Sequence, residues 1–481
     1  MIDMKDTKDI KEKSFSTINT KSFIVVVALL VVIIAISAAL SCFIPQGHYD
    51  YDDDGVIIPD TYVQGEVKGI AFWRVITAPF RVFASSDALT IIMISLFLLI
   101  MSGVFNVMEK TGGVAVFISK VVAKCGNRKR LVICLTVLVF MAFGSLFGMF
   151  EELVTLLPLM VVFMLSLGFD TMVGLGVCMM SACFGFSAAI TNPFSVGLAS
   201  DFANTAVSDG IWLRLVFFAC VYAIVVGFLM LYTRRIAKDP AKSLTFDIDR
   251  EKLATLDMTV SNDEARDRKL FKVYAIFFLV QAVILILIAS IRAISGYAIP
   301  ILSLSFLIGG LISGMLVEKP KKVAVWFFKG ALSMLPAILL IALACSVKLI
   351  LAESDIIDTI MYYAIGALNG KSKFVTILLL YALILFLQIF IGSASAKIFL
   401  IMPIILPISQ ALGISPTLVI LTYCIADGFT DMILPTNPVL LIGLSMVNVS
   451  YGKWFKWTWW LQLVMLAFTV LLLLFASAIG Y

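Results

Sequence analysis

The chain has 481 residues and a formal net charge of +5; 61% of its residues are hydrophobic, 14% are charged and its mean hydropathy is +1.07, whereas a soluble domain carries roughly 25% charged residues. A chain this apolar takes the bilayer as its solvent, and the small excess of positive charge requires no nucleic-acid partner. With one histidine, His48, beside the acidic run Asp50, Asp52, Asp53 and Asp54, a histidine metal site or a nucleophile–base pair is excluded. No cofactor or metal is expected.

Residues 1–22 form a basic N-terminus with Lys5, Lys8, Lys11, Lys13 and Lys21, followed by the apolar run Phe23 to Ile44. That run is too long for a signal peptide and lacks a small-residue cleavage site, so it reads as a retained helix. Bases before it and acids after it put the N-terminus in the cytoplasm. Thr90 to Met108 returns inward to Lys110, Lys120, Lys124, Arg128, Lys129 and Arg130. The next two apolar pieces, Leu131 to Phe147 and Leu153 to Leu167, flank Gly144, Gly148, Glu151 and Glu152; a re-entrant hairpin entering from the cytoplasm accounts for charges at that depth. Thr171 to Phe202 then crosses outward around Thr191-Asn192-Pro193, and Leu213 to Tyr232 comes back to Arg234, Arg235 and Lys238. This first membrane half covers 23–233.

Residues 234 to 272 hold ten bases and eight acids, which marks a cytoplasmic linker, with a boundary near 270. The second half, 271–481, contains Val273 to Ile291, Ile299 to Val317, Leu332 to Ala352 and the closing run Trp457 to Ala478. Stretches of about 20 apolar residues suffice to span a roughly 30 Å hydrocarbon core. The eight cysteines are scattered without CxxC spacing and read as apolar packing residues. Gly370-Lys371-Ser372 resembles the end of a phosphate loop, but Ile365 stands where its first glycine belongs. The segment reads as a turn, which argues against an ATP-driven pump.

Thr-Asn-Pro occurs at Thr191–Pro193 and again at Thr436–Pro438, an offset of 245 residues that also carries Pro158 onto Pro403, Gly168 onto Gly413 and Phe184 onto Phe429. The chain is therefore an internal repeat, about 70–233 and about 323–481. An odd number of crossings separates the copies, so they are inverted. Irregular backbone at membrane depth is tolerated beside a cavity, and two pairs of segments invite it. One pair is the hairpin tips, Gly144 to Glu152 and Ile389 to Lys397, the latter including Ser393 and Ser395. The other is Ser187 to Phe194 with Asp427 to Pro438, where Pro193, Pro435 and Pro438 should unwind the helices and Asn192 and Asn437 add a donor and an acceptor. Ionisable residues inside membrane segments default to functional roles; here they are Glu151, Glu152, Lys397, Asp427 and Asp431. The 245 offset sets Lys397 opposite Glu152, either as a charge pair locking the hairpins or as a solute ligand.

Gly148-Met-Phe-Glu-Glu152 with Pro158, Thr191-Asn-Pro-Phe194, Asp427-Gly-Phe-Thr430 followed by Pro435-Thr436, and Tyr451-Gly-Lys-Trp454 together resemble the YfcC branch of the DcuC-type C4-dicarboxylate carriers, in the ion transporter superfamily. The resemblance extends over nearly the whole chain. It implies a homodimer in the inner membrane, in contact with lipid, whose protomers combine a fixed scaffold with a moving, elevator-type transport domain. The first helix, Thr90–Met108, Val273–Val317 and Leu332–Ala352 would form the scaffold. It also implies exchange of basic amino acids of the arginine/ornithine kind. Lys397 departs from the small or neutral residue expected there, which puts a simple transfer of substrate in question.

The expected fold is thus an all-α membrane protein: an inverted-repeat secondary transporter with two re-entrant hairpins and two broken helices. The expected solute site combines Glu151, Glu152, Thr191, Asn192, Pro193, Ser393, Ser395, Lys397, Asp427, Asp431, Thr436 and Asn437. Four acids against one lysine favour a cationic or zwitterionic amino acid. A dicarboxylate held by Lys397, Ser393, Ser395 and helix N-termini, with H+ or Na+ coupling, is the competing expectation. A membrane enzyme or a channel fits the pattern less well.

Overall fold

The computed structural model describes residues 20–50, 52, 58, 61–86, 88–113, 115–117, 119–120, 128–257, 263–290, 297–366 and 370–481. Lys5 to Lys13, Asp53, Asp54 and Lys124, used above to orient the chain, lie outside them, as does the side chain of Ser395. The described chain is helical apart from one two-stranded ladder, β1 (Gly47–His48) antiparallel to β2 (Val63–Gln64).

The helices form two sets that also pack on each other, chiefly through Leu335–Glu353 and Pro438–Met446. The first contains α1 (Thr20–Leu40), α2 (Phe72–Arg81), α3 (Ala88–Lys110), α10 (Glu264–Ser290), α11 (Ala298–Val317), α12 (Pro320–Leu332) and α13 (Leu335–Glu353). Here α3 packs on α11 and α12, α10 on α11, and α13 on α1 and α2. Long apolar runs such as α1 expose Ile24, Val25, Val31 and Ile36 on one side while Val26, Leu30 and Ile34 are buried against Leu340, Val347 and Ile350 of α13. Apolar side chains facing outward are what lipid requires, since the helix already satisfies its own backbone. Polar residues in this group turn inward: Asn106 donates to the Trp326 carbonyl at 2.6 Å, and the Thr111 and Tyr274 hydroxyls meet at 2.7 Å.

The second group is built from the two hairpins and their followers. In the first half these are α4 (Lys129–Phe147), α5 (Leu157–Ser166), α6 (Thr171–Ser187, with a π turn at Gly176–Met180), α7 (Leu198–Ala203) and α8 (Ile211–Lys238). Between the halves lies α9 (Phe246–Asp257). After α14 (Ile357–Gly366) come α15 (Lys373–Gln388), α16 (Ala394–Ala411), α17 (Pro416–Ala426), α18 (Pro438–Met446) and α19 (Tyr451–Ala478).

The element order repeats at the 245 spacing. Gly168 and Gly413 end the two hairpins with φ of 85° and 65°, the left-handed helix ending that suits glycine. Asp170 and Ser415, again 245 apart, then cap α6 and α17 through bonds to Val173 N (2.9 Å) and Leu418 N (3.3 Å). The apolar segments α3 and α13, α8 and α19 follow the same order.

Candidate functional site

Both Thr-Asn-Pro segments lie where helices stop. After α6 the chain runs through Ala188–Asn192 and restarts as a π turn at Pro193–Gly197; after α17 it runs through Asp427–Asn437, with a short 3-10 turn at Phe429–Met432, and restarts as α18. The prolines act differently from the expectation. Pro193 and Pro438 occupy the first position of the new helix, where a missing N–H costs nothing, and Pro435 sits in the turn before it. The unwinding lies upstream of both, and Gly428 at φ 129° supports it in the second half.

Each asparagine caps its new helix. Asn192 Oδ1 accepts from Phe194 N at 2.9 Å, and Asn437 Oδ1 accepts from Val439 N at 2.8 Å. The side-chain oxygen so replaces carbonyls that the break removed. Asn192 Nδ2 is buried with no hydrogen-bond partner among the described residues.

The first hairpin tip is strapped to the first break. Gly144 and Gly185 let α4 and α6 touch backbone to backbone, because a β-carbon on either would lie 2.2 Å from a carbonyl oxygen of the other helix. Ser145 Oγ donates to the Ala188 carbonyl at 2.5 Å and accepts from Ile190 N at 3.1 Å, while Thr191 Oγ1 donates to the Leu146 carbonyl at 3.0 Å. Gly148 turns the tip at φ 69° against Asn192 Oδ1. Beyond it, Glu151 is exposed and lies within electrostatic reach of Glu152 and Asp431.

The second break carries the buried charge. Lys397 Nζ donates to Asp427 Oδ1 at 2.5 Å, with both side chains shut away from solvent. This overturns the pairing of Lys397 with Glu152. The second hairpin turns early, α15 ending at Gln388 and Ser393 already capping α16, so Lys397 lies a turn inside α16 and faces the end of α17. Sequence offset equates positions in the repeat but not the direction in which their side chains point. Gln388 Nε2 donates to Asp431 Oδ1, and the Asn437 side chain lies beside the same carboxylate. Tyr423 ties α17 to the hairpin start by donating to the Ala394 carbonyl at 2.5 Å.

Carbonyls freed by the second break are taken by donors from α19. Gln462 Nε2 reaches Phe429 O at 3.1 Å, Trp454 Nε1 reaches Met432 O at 2.6 Å and Tyr451 Oη reaches Ile433 O at 2.6 Å. Buried backbone groups must be paired, and these three side chains do it. Sequence reasoning missed the roles of Ser145, Gln388 and Gln462; Tyr451 and Trp454 belong to the Tyr451-Gly-Lys-Trp454 motif, whose spacing alone does not point to these carbonyls. A remainder of acceptors stays open: Asp427 Oδ2, Gln388 Oε1, Thr430 Oγ1 and Gln462 Oε1 are buried without a hydrogen-bond partner among the described residues. The candidate solute residues therefore gather in two places, Thr191, Asn192 and Pro193 at the first hairpin tip and Lys397, Asp427, Asp431 and Asn437 at the second break. Ser393 serves as a helix cap, accepting from Ala396 N at 3.3 Å, and Thr436 lies in the turn before Asn437.

The last turns of α6 meet the second break. Cys183 Sγ contacts the Gly428 carbonyl at 3.1 Å and the rings of Phe184 and Phe429 lie 6.3 Å apart, edge to face. Both contacts join positions 245 residues apart. Residues 21–478 match the family model described as C4-dicarboxylate anaerobic carrier. The chain belongs to the DcuC family. It is 29% identical over 374 residues to a Haemophilus influenzae protein of no assigned activity, covering 76% of this chain and 71% of that one. It is 25% identical over 382 residues to YfcC of Escherichia coli, provisionally named a basic amino acid antiporter, covering 76% and 74%. Two solved transporters superpose loosely along nearly the full length. YdaH of Alcanivorax borkumensis has a TM-score of 0.40 at 18% identity, covering 95% of this chain and 98% of its own. MtrF of Neisseria gonorrhoeae, from a class of antimetabolite efflux pumps, has 0.38 at 15%, covering 94% and 93%. Its family and the seven helices among the described residues that are long and apolar enough to cross a membrane make the chain a multi-pass membrane transporter.

Proposed function

We propose that this DcuC-family transporter exchanges basic amino acids of the arginine/ornithine type, binding them between the two helix breaks. One observation carries the reading. The second break gathers buried acceptors that have no donor among the described residues (Asp427 Oδ2, Gln388 Oε1, Thr430 Oγ1, Gln462 Oε1) beside a second carboxylate, Asp431, with Glu151 in reach. A buried polar group without a partner is costly, and a guanidinium or ammonium group supplies both the charge and the several donors that this set lacks. Asn192 Nδ2 at the first break, without a partner among the described residues, is suited to the solute's carboxylate. Lys397 is a poor free ligand for an anion, because Asp427 already neutralises it.

The contacts between positions 245 apart are what a two-fold relation between the halves produces on its axis. With that axis in the membrane plane the halves are inverted, both hairpins are re-entrant from opposite faces, and alternate access is natural. In this reading the chain lies in the cytoplasmic membrane with its N-terminus inside. The hairpin group moves against the group of α1–α3 and α10–α13, which supplies the homodimer contact.

A dicarboxylate carrier is the second reading, favoured by the family's own description; there Lys397 would leave Asp427 to hold a carboxylate near the start of α18. Counterflow separates the two. Proteoliposomes preloaded with ornithine or arginine should take up labelled arginine, and those preloaded with fumarate should not. Uptake driven by fumarate alone would overturn the basic amino acid assignment.

A further inference from the structure

The segment between the halves is built into the site's framework rather than strung between two domains. Asp170, 4% exposed at the start of α6, accepts from Tyr232 Oη of α8 at 2.5 Å and from Ser243 Oγ of the linker at 2.7 Å. One turn further on, α9 packs on α5 and presents Asp249 and Lys252, each 6% exposed. Asp249 Oδ2 accepts from Thr171 N at 3.1 Å and from Thr245 Oγ1 at 2.6 Å, and its Oδ1 accepts from the Thr171 hydroxyl. Lys252 Nζ donates to Thr171 Oγ1 at 3.0 Å and to the Val447 carbonyl at 2.8 Å.

Thr171 opens α6, whose other end is the first break; Val447 closes α18, which starts from the second. A single lysine therefore joins the far ends of the two broken helices whose near ends form the candidate site. Charged side chains are rarely this buried unless paired, and removing one member of such a network leaves the others unpaired. We propose that α9 is a brace that sets the spacing of the two breaks, with Lys252 and Asp249 as its positioning residues. Rigid helices transmit a shift at one end to the other, so loosening the brace frees the breaks. The inference rests on the two breaks being the site, and not on which solute it takes.

Amide hydrogen exchange of the purified full chain, wild type against Lys252→Met and Asp249→Asn, tests it without any substrate. The expected result is exchange at least fivefold faster at 188–192 and at 429–434 in both variants, with the arms of the hairpins unchanged and Lys252→Arg closer to wild type. Faster exchange confined to the linker and to 170–173 and 445–449 would overturn the proposal, since the brace would then be a local fastening. Should either variant fail to purify, Ser243→Ala and Thr245→Val remove the linker hydroxyls that donate to Asp170 and Asp249 and are read in the same way. A chain that shows the expected exchange pattern yet fails ornithine counterflow would leave the brace standing and remove the substrate assignment.

Discussion

Replacing Lys397 with alanine tests the central electrostatic feature. The ammonium is fully buried and Asp427 is 1% exposed, so the variant leaves a carboxylate in low dielectric with neither oxygen paired among the described residues, Oδ2 being unpaired already. Breaking a buried pair by removing one partner costs about 3–5 kcal/mol. Removing the charge of both partners, as in Lys397→Met with Asp427→Asn, avoids the orphaned ion, and the double variant should lie within about 1–2 kcal/mol of wild type, because a buried pair replaced by neutral groups of similar volume is often neutral. With Lys397→Met and Asp427→Asn costing about 3–5 kcal/mol each on their own, the coupling between the two sites is at least about 4 kcal/mol, well above the roughly 0.3–0.5 kcal/mol expected of independent sites. SDS-induced unfolding or steric trapping of the purified protein measures the cycle of wild type, Lys397→Met, Asp427→Asn and the double variant, with Lys397→Ala alongside, and counterflow on the same samples reports transport. Additive single-variant effects, or a Lys397→Ala cost below about 1 kcal/mol, the range of exposed ion pairs, would refute the pairing.

Asn192→Ala and Asn437→Ala should each lose a cap bond, about 1 kcal/mol of stability, while abolishing counterflow with membrane expression intact; normal uptake in both would remove the breaks from the site. Gly148→Ala forces a β-carbon into the left-handed region, at a cost of about 1–2 kcal/mol, and within 2.3 Å of Asn192 Oδ1, so counterflow should fall at least tenfold; wild-type rates would show that the tip is not held against Asn192. The linker should respond to pH. Burial lowers Lys252 from 10.5 to about 8, against the opposing pull of Asp249 and Asp170. Because the docked amine holds its proton less tightly than the undocked one, docking grows stronger as pH rises between those values, by about 1.4 kcal/mol per unit. Proteolysis of the linker, corrected for protease activity at each pH, should slow between pH 8 and 10; no slowing, or the same slowing in Lys252→Met, would contradict this.

The repeat was legible because it is written in rigid punctuation. Gly168 with Gly413, and Thr191–Pro193 with Thr436–Pro438, are residues whose backbone demands are the same wherever they stand, so their spacing survives translation into structure. The proline effect was misread, since a proline that opens a helix and one that interrupts it look alike until the start of hydrogen bonding is known. Lys397 shows the other limit. Its position in the repeat followed from arithmetic, but its partner did not, because the second hairpin turns a few residues sooner and aims the side chain at α17.

Sequence alone indicated that this chain lives in a bilayer and that its two Thr-Asn-Pro segments, 245 residues apart, mark places where helices stop; apolar run length and motif spacing are read from residue identity alone. Only the tertiary structure decided that Lys397 neutralises Asp427, that Gln388 donates to Asp431, and that Lys252 fastens α6 to α18. Those choices depend on distances between segments far apart in the chain, which a side chain's identity does not encode.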